Sequence, residues 1–198
     1  YDNFFRGKKD IEFKKIIKRK NVNFYEVDLT QKFKLKKNYN EIYHFAAIVG
    51  VSNVNLNPLI TLINNVKPLM TILEEINVKK LNPKIIFAST SEVYGSARFV
   101  PMTEEHPLNA QSPYAASKIA ADQLALSFYK SFDLPVSIIR PFNTYGPRQS
   151  ARAIIPTVIS QILSKKSEIK VGSTFPTRDF NYISDTISAF IKILNYKG

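Results

Sequence analysis

The sequence predicts an α/β fold: a doubly wound parallel sheet with helices packed on it, and part of a smaller C-terminal domain. Two observations lead to this prediction. Short apolar runs at 42–47 and 84–89 have the composition of buried parallel strands. Segments with helical periodicity lie between and after these runs, and a parallel strand needs such a crossover to reach its neighbour.

Two shorter elements precede the first apolar run. Apolar residues recur at helical spacing over 10–20, which predicts a short basic helix. Alternation over 22–27 predicts a strand that ends at Asp28 and Leu29. Asp2 would close an earlier strand, so we expect the first elements of the fold to precede this sequence.

The longest helices are predicted in the middle of the chain. One covers 57–78, and Pro68 should end or kink it because proline removes a backbone donor. Another covers 113–132, since Ser112 is a good N-cap and proline follows it. A strand over 136–139 comes next.

Shorter elements are predicted in the last third. A helix over 153–163 is followed by strands at 168–171 and 179–183 and by a final helix rich in Ile and Phe. We place a domain boundary at residue 150. Residues 1–150 would form the sheet domain, and 151–198 the start of a smaller region together with the last sheet elements.

Composition is that of an ordinary globular protein, with 44% hydrophobic and 22% charged residues among 198. No run of about 18 apolar residues predicts a membrane helix, so we expect no membrane contact and a cytoplasmic location. With no cysteine and two histidines, disulfides and thiolate chemistry are excluded, and no metal site is expected. The net charge of +12 comes from scattered lysines, so we expect no nucleic-acid partner.

A tyrosine and a lysine stand four residues apart at the start of the helix over 113–132. Tyr114 falls in the first turn and Lys118 one turn later on the same face. A neighbouring ammonium favours the phenolate, which would make the tyrosine a general base near neutral pH. Taken alone, the pair fits an amphipathic surface helix better, because such pairs are common.

Context favours the catalytic interpretation. Ligands of doubly wound sheets bind beyond the carboxyl ends of the strands. The residues at these ends, which form one rim of the predicted sheet, are Asp28, 46–47, 89–90 and 141–143. Three pieces belong to that rim: the segment Ser-Thr-Ser-Glu-Val-Tyr-Gly at 89–95, the tyrosine and lysine pair, and the turn that begins Arg-Pro-Phe-Asn-Thr-Tyr-Gly-Pro. Together they are far more specific than any one alone.

This combination resembles the extended short-chain dehydrogenase/reductase family of nucleotide-sugar epimerases, dehydratases and decarboxylases. The resemblance covers essentially the whole chain and implies a Rossmann-like fold. It also implies a fragment, because the first strand and Gly-rich phosphate loop of the family should precede Tyr1. Much of the C-terminal substrate domain should follow Gly198.

The resemblance implies that NAD binds to residues 1–150. Asp2 would hold the adenosine ribose, Asp28 and Leu29 would flank the adenine, and Asn65 would lie beneath the nicotinamide. The complete set assigned to the cofactor is Asp2, Asp28, Leu29, Ala46, Ala47, Asn65, Ser89, Tyr114, Lys118 and Pro141.

The resemblance also assigns catalytic and substrate residues. Lys118 would bind the nicotinamide ribose and lower the pKa of Tyr114. Tyr114 would deprotonate a sugar hydroxyl held by Thr90, and Glu92 would take the C5 proton, as in 4,6-dehydratases. The residues assigned to the nucleotide sugar are Ser91, Asn143, Arg148 and Arg178.

The runs at 111–118, 140–152 and 176–180 look most like bacterial dehydratases that act on nucleotide-linked N-acetylhexosamines in legionaminic-type acid synthesis. We therefore predict a UDP- or GDP-N-acetylglucosamine 4,6-dehydratase, active as a homodimer built through the helices that carry Asn65 and Tyr114. A 4-epimerase and a UDP-glucuronate-type decarboxylase are the enzymatic alternatives. An RNA-binding or assembly protein of the same fold is the non-enzymatic one.

Overall fold

The structure is a computed structural model that describes residues 1–5 and 7–196. It divides into two compact units, Tyr1–Ile139 and Arg140–Gly198, which are described separately. The helices are α1 (Ile11–Ile17), α2 (Val51–Leu56), α3 (Pro58–Val78), α4 (Pro113–Phe132), α5 (Ile154–Leu163) and α6 (Ile183–Lys192). The strands are β1 (Glu41–His44), β2 (Lys84–Ala88), β3 (Val136–Ile139), β4 (Asn143–Tyr145) and β5 (Phe180–Tyr182).

The first unit is built on a parallel sheet of three strands in the order β1-β2-β3. His44 pairs in register with Phe87, and Phe87 with Ile138. Helices connect these strands, so the prediction of a parallel α/β sheet is confirmed for this unit.

The core of the first unit lies between the sheet and helices α3 and α4. From β2, Ile85 and Phe87 point to the same face, because strand side chains alternate. They meet Leu69 and Leu73 of α3, while Ala121 of α4 is small enough to let that helix approach closely. This packing places the first turns of α4 near the carboxyl end of β2.

The ends of the helices follow their capping residues. Helix α4 covers the 20 residues Pro113–Phe132, as expected, and the Ser112 hydroxyl accepts a hydrogen bond of 3.1 Å from the amide of Ala115. Asp10 caps α1 in the same way through the amide of Phe13 at 2.9 Å. Helix α1 ends at Ile17, earlier than the sequence predicts.

Pro68 does not end α3, which runs unbroken to Val78. Its side chain is buried beside Leu69, and the following turns carry the buried Ile72 and Leu73. Because this face packs into the core, tertiary contacts offset the hydrogen bond that proline removes.

The strand expected over 22–27 is reduced to one parallel bridge between Asp2 and Glu26. The amides of Asp2 and Val27 donate to the carbonyls of Tyr25 and Asp2 at 3.2 and 3.1 Å. Phe4 has a left-handed φ of 54°, so the partner segment turns away directly after the bridge and the ladder cannot continue.

The second unit contains the parallel pair β4-β5, with α6 directly after β5. Gly146 lies so close to α6 that a Cβ there would be 2.5 Å from the Ile183 side chain. The strand expected over 168–171 does not form. Both backbone groups of Lys170 are instead bound at 2.8 Å by the side-chain amide of Gln161 on α5, which replaces a strand partner.

None of the helices in the described residues is both long and apolar enough to span a bilayer. Within the same residues, no three His, Cys, Asp or Glu side chains form a group that could hold a metal ion.

Candidate active site

The segment after β2 forms a tight turn at the carboxyl end of the strand. Thr90 caps a single 3₁₀ turn, Ser91–Tyr94, with its hydroxyl accepting a hydrogen bond of 3.3 Å from the amide of Glu92. Val93 and Tyr94 are buried and anchor the turn. Gly95 ends it with φ 66°, where a Cβ would be 2.4 Å from the Asn109 carbonyl oxygen. The turn therefore holds Thr90 buried and leaves Glu92 exposed.

Tyr114 lies beside this turn, in the first turn of α4. Its hydroxyl forms a hydrogen bond with the side chain of Thr90. The pKa of Tyr114 is raised to about 12, first by burial and then by the carboxylate of Glu92, while the hydrogen bond with Thr90 acts in the opposite direction. Three predicted catalytic residues thus meet at one end of the sheet.

Lys118 lies one turn further along α4 and is 2% exposed. Its Nζ donates a hydrogen bond of 2.7 Å to the carbonyl of Ala88 and lies 4.8 Å from the centre of the Phe87 ring. Burial lowers the pKa of Lys118 to about 8, against the opposing effect of Asp122.

The expectation that Lys118 lowers the pKa of Tyr114 does not hold in this structure. The pKa of Tyr114 is raised, with burial and Glu92 as the causes, and the lysine ammonium is bound to the backbone at Ala88. Near neutral pH Tyr114 is therefore a phenol. A further positive charge beside it would be needed to make it a base.

Asn65 of α3 ties the segment after β1 to α4. Its Oδ1 accepts from the amide of Ile48 at 2.6 Å, and its Nδ2 donates to the Ile48 carbonyl at 3.1 Å and to the Ser117 hydroxyl at 2.9 Å. Ser117 donates in turn to the carbonyl of Tyr114 at 2.7 Å. Sequence reasoning missed Ser117, because only the fold shows that this small polar residue faces a buried amide.

A cavity of about 450 Å³ opens in the first unit, between the Asp2–Glu26 bridge and β1. Five of the residues assigned to the cofactor line it: Asp2, Asp28, Leu29, Ala46 and Ala47. Asp2 accepts a hydrogen bond of 2.6 Å from the amide of Phe4, and Asp28 accepts two from Thr30 at 2.9 and 2.7 Å. Both carboxylates are thereby oriented by their own loops. Asn65, Ser89, Tyr114 and Lys118 lie outside the lining of this cavity.

His44, at the end of β1, also lines the cavity. Its ring stacks on Phe87 with centroids 5.7 Å apart, and among the described residues no hydrogen-bond partner reaches its Nε2. The same is true of the Ser89 hydroxyl. The pKa of His44 is lowered to about 3, first by burial and then by the charge of Lys118. The imidazole is therefore neutral at physiological pH.

The resonances of His44 in the full-length protein are accordingly expected not to titrate above about pH 4, given a pKa near 3. The unfolded chain takes up a proton near pH 6.5 that the folded chain does not. The free energy of unfolding should therefore fall by up to about 1.4 kcal/mol per pH unit below that point. Imidazole NMR, assigned with His44→Gln, measures the titration, and a midpoint near 6.5 would contradict the prediction.

The second unit holds the other predicted ligands, and there Asn143 joins two strands. Its amide and its side-chain Nδ2 both donate to the carbonyl of Asp179 at 3.2 Å, which joins β4 to the start of β5. Arg178 is exposed and its Nη1 donates to the Thr177 carbonyl at 2.8 Å. Arg148 is exposed with φ 70°, and Pro141 is half-buried. The assignment of these residues to the substrate or cofactor stays a prediction.

Comparison with known proteins gives a family for this fold and site. The family model described as GDP-mannose 4,6 dehydratase matches residues 5–198. The chain belongs to this family, so the prediction of an epimerase/dehydratase family is confirmed.

Individual relatives agree on the fold but differ in their reactions. A dTDP-D-glucose 4,6-dehydratase from Dictyostelium discoideum is 35% identical over 90% of this chain and 45% of its own length. The structure of a UDP-N-acetylglucosamine 4-epimerase from Methanobrevibacter ruminantium is 30% identical with a TM-score of 0.84, covering 96% of this chain and 62% of that one.

A dTDP-glucose 4,6-dehydratase from Bacillus anthracis, solved with NAD, is 34% identical with a TM-score of 0.68, covering 80% of this chain and 48% of its own. These similarities confirm the predicted Rossmann-like fold. The chain spans about half the length of the curated dehydratase it matches.

Proposed function

We propose that the full protein containing this chain is an NAD-dependent nucleotide-sugar 4,6-dehydratase acting on UDP- or GDP-N-acetylglucosamine. The observation that carries the proposal is the grouping of Thr90, Glu92 and Tyr114 at the carboxyl end of β2. The carboxylate of Glu92 is close enough to the phenol of Tyr114 to raise its pKa. The site therefore has two proton acceptors, Tyr114 for a hydroxyl and Glu92 for a C–H group.

The first unit has features that fit NAD. The cavity beside β1 is lined by two oriented carboxylates and by Ala46 and Ala47, whose small side chains leave the backbone accessible. The buried Ser89 hydroxyl and the His44 Nε2 have no partner among the described residues, as expected of groups that a ligand would complete. NAD, when bound, would supply the hydride acceptor that oxidation of a sugar alcohol requires.

In the proposed reaction each of these residues would have a separate role. Thr90 holds the sugar C4 hydroxyl through its side chain, and Tyr114 takes the proton of that hydroxyl. Lys118 binds the nicotinamide ribose. Glu92, exposed at the turn, takes the C5 proton that a neighbouring ketone acidifies, and loss of the C6 hydroxyl as water follows. The hydride removed from C4 would then return to C6 and a proton to C5, which completes the 4-keto-6-deoxy sugar. Ser91, Asn143, Arg148 and Arg178 would hold the nucleotide sugar.

A 4-epimerase is the second candidate, favoured by the high structural similarity to the M. ruminantium enzyme. Glu92 separates the two functions, because epimerisation at C4 needs no base for the C5 proton. A UDP-glucuronate decarboxylase would share the turn but would release CO₂ from a carboxylated sugar.

The assay uses the full-length protein with NAD and either UDP- or GDP-N-acetylglucosamine, followed by mass spectrometry and NMR of the product. We expect a 4-keto-6-deoxy sugar and the loss of one water. Formation of the C4 epimer alone would overturn the proposal, as would CO₂ release from UDP-glucuronate. Salt-sensitive RNA binding without turnover would favour the non-enzymatic alternative.

We further propose that the full protein is a cytoplasmic homodimer that pairs through α3 and α4. In support, α3 leaves Leu59, Ile63 and Met70 at least half exposed, at 76%, 50% and 51%. Light scattering of the full-length protein should give twice the monomer mass, and Ile63→Lys should shift it towards the monomer.

A further inference from the structure

Three titratable side chains are buried on β1 and α4. His44 is 3% exposed, Lys118 is 2% and Asp122 is fully buried. Asp122 has no part in the chemistry proposed above. A carboxylate buried this completely is costly unless an opposite charge or hydrogen bonds compensate for lost water, so its position calls for an explanation.

An opposite charge lies one turn away on the same helix. Lys118 and Asp122 are four residues apart and lie on one face of the helix, the face that also buries Ala121 and Ala125 against the core. The lysine ammonium is bound by the Ala88 carbonyl and the Phe87 ring, and neither carries a full charge. The carboxylate of Asp122, on the same face, carries a full negative charge when ionised and raises the pKa of this buried ammonium.

We propose that Asp122 is a positioning residue, whose carboxylate keeps Lys118 charged while the Ala88 carbonyl holds the ammonium at the carboxyl end of β2. This inference rests on the proposed function, in which Lys118 binds the cofactor ribose. It adds a role for a residue that touches neither cofactor nor substrate.

The electrostatic balance around Lys118 agrees with this role. From α4 itself, Asp122 raises the pKa of the lysine against the effect of burial, which alone would lower it further. From β1, His44 is neutral because its own pKa is lowered by burial and by the lysine. The charges at the mouth of the site are Glu92 and, when ionised, Tyr114. Since the pKa of Lys118 is about 8, losing the aspartate charge would deprotonate it within the neutral range.

The test compares full-length wild type with Asp122→Asn by NMR of ¹³Cε-labelled lysine, the Lys118 signal being assigned with Lys118→Met. We expect the pKa of Lys118 to fall by about one unit or more in Asp122→Asn. The pH above which kcat/KM stops rising should move down with it. Asp122→Glu, which keeps the charge, should restore most of the shift.

The matched control is Asp133→Asn, the same charge change on the exposed C-cap of α4, about 22 Å along the helix from Lys118. It should leave both the pKa and the pH profile unchanged. An unchanged Lys118 pKa in Asp122→Asn would overturn the inference. So would a ¹³Cγ signal showing Asp122 protonated at neutral pH in the wild type, a measurement that needs no variant to fold.

The two proposals fail separately. If the wild type dehydrates the sugar but the pKa of Lys118 is the same in Asp122→Asn as in wild type, the positioning role alone is refuted. If Asp122→Asn shifts the pKa of Lys118 but the wild type forms only the C4 epimer, the proposed dehydratase activity alone is refuted. A charged lysine at this position would serve either reaction.

Discussion

Replacing Tyr114 by Phe in the full-length protein is expected to lower kcat by about 10²–10⁴-fold, the usual contribution of a positioned proton acceptor. The change removes one hydroxyl and its hydrogen bond with Thr90, and leaves a ring of the same size packed at the start of α4. Stability should change by no more than about 1 kcal/mol. Binding of NAD, followed by fluorescence, should stay within a few fold.

The control for this variant is Tyr129→Phe, the same change on the same helix at a residue that is 42% exposed. It should turn over at the wild-type rate. A Tyr114→Phe enzyme within tenfold of wild type would mean that another group accepts the proton of the C4 hydroxyl.

The wild-type rate should also rise with pH through the neutral range, because the phenolate fraction of a tyrosine with a pKa near 12 grows about tenfold per unit.

Replacing Glu92 by Gln is expected to stop exchange of the C5 proton with solvent, again by about 10²–10⁴-fold, while NAD binding is unaffected. The side chain is exposed in the turn Ser91–Tyr94, and the amide has nearly the same size and shape as the carboxylate. Deuterium uptake at C5 in D₂O, measured by NMR of the sugar, reports this step directly.

The same variant makes a second, independent measurement possible. Since the Glu92 carboxylate raises the pKa of Tyr114, its removal should lower that pKa, which a difference titration against Tyr114→Phe would detect. Glu104→Gln, an exposed acid in the following loop, is the control for the charge change. Normal C5 exchange in Glu92→Gln would assign the carbon base elsewhere and remove the main argument for a dehydratase over an epimerase.

Elements with strong local signals were predicted well. Helix α4 covers the expected residues because Ser112 and the proline after it define its start through their own side chains. Strand β3 has the expected bounds, and β2 ends one residue before the predicted run, since a short apolar run in this context has few alternatives to a buried strand.

Elements that depend on a distant partner were predicted poorly. The strand over 22–27 is cut short by the turn at Phe4, and the strand over 168–171 is prevented by Gln161 of α5. Pro68 is accommodated inside α3 because the core packs around that face. In each case a contact remote in sequence outweighs a local preference.

The sequence by itself determined the family and the parallel α/β order, and it selected Thr90, Glu92, Tyr114 and Lys118 as the predicted reactive group, because residue types at given spacings carry that information. Only the tertiary structure decided their electrostatic state. It raised the pKa of Tyr114 and directed Lys118 to the Ala88 carbonyl. It also buried Asp122 and a neutral His44. The physical reason is that protonation depends on burial and on charges brought close by folding, and neither can be read from spacing along the chain.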